Sequence, residues 1–154
     1  MSQPKETLRQ NIEQQRGQQA WLDVLEIRDQ QPRNEEREKK YRALARGLNA
    51  MIQINGLGQT LGFFYAKAGK EWREKHNKNE HFYLLKHLTH WMHGHFSEAI
   101  ADSTDNKFNG FLDWITSTAS STDYRRATTE CLAFGNWLRR FAEAELKEPD
   151  AGGK

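Results

Sequence analysis

The sequence predicts an all-α protein, a compact bundle of about five to six helices. Three observations carry this expectation. Prolines stand only at positions 4, 32 and 149, so none interrupts a helix between 33 and 148. Apolar residues recur at spacings of three and four, the period of a helix with one buried face. Few stretches alternate as half-buried strands do. The 154 residues have a mean hydropathy of −0.95, yet 5 Trp, 8 Phe and 4 Tyr are too many aromatics for a disordered chain.

The first helix is expected over 6–28. Its N-terminal half is Gln-rich, so residues 1–17 read as an extension, in part disordered, and the packed bundle spans 18–146. Trp21, Val24, Leu25 and Arg28 share a face. A second helix starts after Asn34, a good N-cap, with Glu35, Glu36 and Glu38 where the helix dipole favours anions. Its stripe is Tyr41, Leu44, Ala45, Leu48, Met51 and Ile52, and Asn55-Gly56 end it. A third is expected over 57–68, with Gly58 and Gly62 leaving a flat patch for another backbone. Residues 69–79 read as a charged connector or loose extension. Helices over 80–96 and 108–116 follow, separated by a loop over 97–107. The last helix covers 123–146, capped by Ser121 or Thr122, with Cys131, Phe134 and Leu138 on its core stripe. Residues 147–154 read as a disordered tail.

Composition excludes several classes. The apolar runs, such as 63–66, fall far short of the roughly 20 residues that span a bilayer. MSQPKETLRQ has no apolar core of a secretory signal. The lone Cys131 allows neither an internal disulfide nor a multi-cysteine zinc site. A reducing, cytoplasmic setting is expected. The net charge of +2 is too mild to indicate nucleic acid by itself.

Charge placement says more. At about 100° per residue, Lys39, Arg42 and Arg46 lie together, opposite the second helix's apolar stripe. On the last helix Arg125, Arg126, Arg139 and Arg140 occupy the arc away from Cys131 and Leu138, with Glu143 the acid among them. Arginine forks match phosphate oxygens, and rows of them can follow a phosphate backbone. A solvated face of an ordinary helix would look the same. Between Lys67 and Lys86 the basic residues also outnumber the acidic ones.

All six histidines fall within 76–95. His87 and His90 share a helix face at a spacing that can hold a metal, but the wheel sets both outside, without an HExxH carboxylate, so a surface tract is expected and no metal. Cys131 reads as inert packing. The serines lack a nucleophile elbow, and NGLGQTLG lacks the lysine of a phosphate loop. No catalytic residue and no cofactor is expected: the chain reads as a non-enzyme. Trp137 and Phe141, at the edge of the last core stripe, are either core or anchors for a partner subunit.

Two segments carry a resemblance: YRALARGLNAMIQINGLGQTLGFFYAKAG (41–69) and YRRATTECLAFGNWLRRFAEAEL (124–146), joined by WLDVLEI (21–27). Together they cover 59 of the 154 residues. They resemble the small helical subunit of type III-B CRISPR–Cas effector complexes, the Cmr family. The resemblance implies a non-catalytic helical bundle, stacked in several copies beside other Cmr subunits on a ribonucleoprotein built on guide RNA, helping to hold target RNA. The family's basic surface would map onto Lys39, Arg42, Arg46, Arg125, Arg126, Arg139 and Arg140. Gly135 stands where a larger apolar residue is expected, which predicts looser local packing. The alternative is a protein–protein adaptor anchored by Trp137 and Phe141, with the basic faces merely solvated; a metal-binding bundle using His87 and His90 is the third reading.

Overall fold

A computed structural model describes residues 5–96, 99–104 and 107–150. Among the described residues there are six helices and no strand: α1 (Lys5–Arg28), α2 (Glu35–Asn55), α3 (Leu57–Lys75), α4 (Glu80–His95), α5 (Gly110–Ser117) and α6 (Ser121–Glu145). The ends of the expected N-terminal extension and tail, 1–4 and 151–154, lie outside the described residues, as do 97–98 and 105–106 of the expected loop.

Helix ends follow local chemistry. The Asn34 side chain accepts from the Arg37 N–H at 2.9 Å and starts α2; Asn79 does the same for the Phe82 N–H, also at 2.9 Å, and starts α4. Gly56 separates α2 from α3 at φ 87°, a left-handed backbone that glycine adopts without strain. The cap of α6 is Ser120, which accepts from the Asp123 N–H at 3.1 Å, rather than the expected Ser121 or Thr122. Ser120 is the last extended residue, and Ser121 already has helical geometry.

The third helix runs seven residues past its expected end. Trp72 explains the extension: its ring packs on Phe82 at 5.7 Å, so a polar segment gains one large apolar anchor. His76 then ends the helix in the left-handed conformation, its N–H turned back to Trp72 O at 2.9 Å.

α6 organises the bundle. α1 lies parallel to it, through Arg16–Glu130, Trp21–Phe141 and Arg28–Glu145. α2 lies antiparallel on another side, through Arg42–Leu146 and Asn49–Asn136, and just past its end Gly58, in the first turn of α3, meets Tyr124. The α3–α4 hairpin and α5 close the core around Phe64, Phe82 and Phe111, with Trp114 against Phe96. Ala127, Cys131, Phe134, Leu138 and Ala142 of α6 are all fully buried, so its core stripe is the one the spacing predicts.

The glycines depart from expectation. A Cβ on Gly62 would meet nothing within 4 Å, so no backbone uses the expected flat patch there. Gly58 instead donates its N–H to the Tyr124 phenol oxygen at 2.8 Å. Gly135 does not loosen the packing. It is buried, and a Cβ there would fall 2.2 Å from Asn49 Oδ1 and 3.3 Å from Leu48 Cδ2. The missing side chain is what lets α2 press against α6.

Candidate nucleic-acid interface

The predicted basic residues sort themselves by the α2–α6 seam. On α2, Lys39, Arg42 and Arg46 lead along one stripe to Asn49 at helical spacing. The Asn49 amide donates across the seam to Leu132 O at 3.0 Å and Asn136 Oδ1 at 2.9 Å. On α6, Asn136 leads along its own stripe to Arg139 and Arg140. Arg42 and Arg46 therefore border the same seam as Arg139 and Arg140. Arg125 lies on that α6 stripe too, about 16 Å back along the axis from Asn136 at 1.5 Å per residue.

Their charges are not equally available. Among the described residues Arg46, Arg125 and Arg140 are exposed and make no ion pair. Arg42 gives one hydrogen bond to Leu146 O at 3.3 Å and no ion pair. Arg139 pairs with Glu143 at 3.1 Å on the surface, an interaction weak enough to exchange for a phosphate. Lys39 is held by Asp150 at 3.0 Å and Glu36 at 3.2 Å, which keep its ammonium above its ordinary value. Arg126 turns off the seam, pairing with Asp123 at 3.4 Å and stacking 5.5 Å from the Phe96 ring.

Trp137 and Phe141 are half-buried within the chain. Phe141 meets Trp21 of α1 edge-on at 4.9 Å, and the Trp137 ring covers Gly17, where a Cβ would sit 3.3 Å away.

Other charged groups are committed to the interior. Glu130 accepts from Arg16 at 2.7 and 2.8 Å and from the Trp91 indole at 3.0 Å. Burial acts to raise the Glu130 carboxyl, but these donors hold it below its ordinary value. Glu38, fully buried, takes Arg33 at 2.7 and 3.0 Å and the Lys147 backbone N–H at 3.1 Å.

His87 corrects the helical wheel: it is buried, not exposed. Its Nε2–H donates to the Glu26 carboxylate at 2.6 Å, and its Nδ1 is hydrogen-bonded to the Tyr41 hydroxyl at 2.7 Å. Three helices, α1, α2 and α4, thus meet at one polar node. His90 is exposed and pairs with Asp102 at 3.0 Å, while His87 is engaged by Glu26 and Tyr41. Among the described residues no group of three His, Cys, Asp or Glu side chains is placed to hold a metal ion. The Cys131 thiol is buried and pushed up to about 12, first by burial and then by Glu130.

The node makes a pH prediction. Burial raises the Glu26 carboxyl, but hydrogen bonds and charge from His87 and Lys86 outweigh it and bring it down to about 2. The folded value lies below the ordinary 4.5. Its stabilisation is therefore complete above pH 4.5 and lost as the pH falls towards 2. Glu26→Gln is expected to remove this part of the acid dependence of Tm; an unchanged acid limb would contradict the bridge.

These features define a class: a helical bundle whose interior ion pairs are structural and in which Arg42, Arg46 and Arg140, without an ion pair among the described residues, border one seam between helices. The chain belongs to the Cas_Cmr5 family of CRISPR-associated proteins, whose model matches residues 12–145. It is thereby a small subunit of the type III-B Cmr complex in CRISPR defence, with other Cmr subunits as partners. The fold is shared with a crystal structure of a CRISPR-associated Cmr5 family protein from Thermus thermophilus. The TM-score is 0.64 and the identity 23%, over 88% of this chain and 97% of that one. Among the described residues no helix is long and apolar enough to cross a membrane.

Proposed function

We propose that this chain is a non-catalytic Cmr subunit that stacks in several copies and holds target RNA along the guide through phosphate contacts at the α2–α6 seam. The observation that supports this most is the placement of Arg42, Arg46, Arg139 and Arg140 on two antiparallel helices bordering one seam, three of them without an ion pair among the described residues. Guanidinium groups so presented bind phosphate oxygens regardless of base. Arg125 continues the strip at one end; Lys39 and Arg126, already paired, contribute less. The absence of bond-making chemistry is part of the proposal. It is supported by a thiol too buried to ionise and by a histidine held between Tyr41 and Glu26.

Replacing Arg42, Arg46, Arg139 and Arg140 with Glu is expected to strip target RNA from the assembled complex at physiological salt while leaving assembly intact. Unchanged retention would remove RNA contact from this subunit. Loss of assembly in Trp137→Ala, with retention indifferent to the arginines, would favour the adaptor reading.

A further inference from the structure

Where α2 turns into α3, Met51, Asn55, Gln59, Thr60 and Phe63 line a cavity of about 400 Å³. The cavity and the α3 stripe beside it combine three features. Phe63 is 43% exposed, and its ring carries the Lys67 ammonium 5.6 Å from its centre. Asn55 and Gln59 are exposed, and their side-chain amides make no hydrogen bond among the described residues. Lys67 and Lys70, both exposed, continue from Phe63 along one stripe of α3. The Tyr124–Gly58 hydrogen bond sets the first turn of α6, with Arg125, at this same end of the bundle.

An exposed aromatic ring, idle amides and a row of cations are the parts with which proteins hold single-stranded RNA. The ring takes a base face, the amides meet its polar edge, and the cations follow the phosphates. A cavity of this volume accommodates a base. We infer that this corner is a base pocket, which takes one unstacked nucleotide of single-stranded RNA on Phe63, with Asn55 and Gln59 at the base edge and Lys67 and Lys70 on neighbouring phosphates. The inference rests on the RNA-contact reading above and adds to the seam a contact that depends on the base.

The test titrates the full chain at low salt with a short fluorescent oligouridylate and with its abasic counterpart of equal length. The wild type is expected to prefer the base-bearing oligomer. Phe63→Ala is expected to weaken that oligomer about tenfold, the scale of one lost base stack, and to leave the abasic one unchanged. Phe63→Trp should restore the preference. Gln59→Ala, an exposed change that spares the ring, should weaken the base-bearing oligomer alone.

Equal loss on both oligomers, or no loss on either, overturns the pocket while leaving the seam standing. No wild-type binding to either oligomer overturns both. If Phe63→Ala blocks entry into the Cmr complex and the base preference survives, the corner seats a protein and the inference fails.

Discussion

Phe134→Ala is expected to destabilise the chain by about 3–5 kcal/mol, the range for a fully buried aromatic cut to alanine. Phe134 is 0% exposed and stacks on Trp91 at 4.9 Å, with the two rings 7° from parallel. Its loss would open a void between α6 and α4 and uncover one face of Trp91. That indole also donates to Glu130, so the damage reaches the Arg16–Glu130 pair that ties α1 to α6. At this chain length the loss corresponds to a fall in Tm of roughly 10 °C. Phe134→Leu keeps most of the volume and should cost far less. Urea titration measures both; a cost for alanine below about 1 kcal/mol would mean that this contact is not core.

Gly135→Leu should cost about as much, by the opposite route. Even a Cβ would collide with Asn49 Oδ1 at 2.2 Å. The Asn49 side chain must then leave, and with it the hydrogen bonds to Leu132 O and Asn136. Forced repacking costs about 1–3 kcal/mol and each lost bond roughly 1 more. Gly135→Ala should show the same sign at smaller size, since Asn49 still has to move. An alanine variant as stable as the parent would contradict the close approach of α2 and α6.

These two neighbours in sequence show what could be read without coordinates. Phe134 falls on a 3–4 residue stripe, so its burial follows from period alone. Gly135 is a different matter, because its role depends on an asparagine 86 positions earlier that reaches it only in the folded chain. Helix starts at Asn34 and Asn79 are local chemistry, and the first was legible for that reason. The extension of α3 was not, because Trp72 gains its partner from the next helix. His87 misled the wheel because its partners stand 46 and 61 residues away, and a polar face packed on polar partners looks like a solvated one. The basic rows were legible as rows. That Arg42 and Arg46 share a seam with Arg139 and Arg140, while Arg126 turns aside to Phe96, is a property of helix packing.

The most direct measurement is the salt dependence of target-RNA binding by the assembled complex, with wild-type subunit and with Arg42, Arg46, Arg139 and Arg140 changed to Gln. Each phosphate contact adds about 0.7–0.9 to the slope of log affinity against log salt, so losing four should flatten it by about 3. A slope identical in the two complexes would contradict the claim that this seam faces RNA.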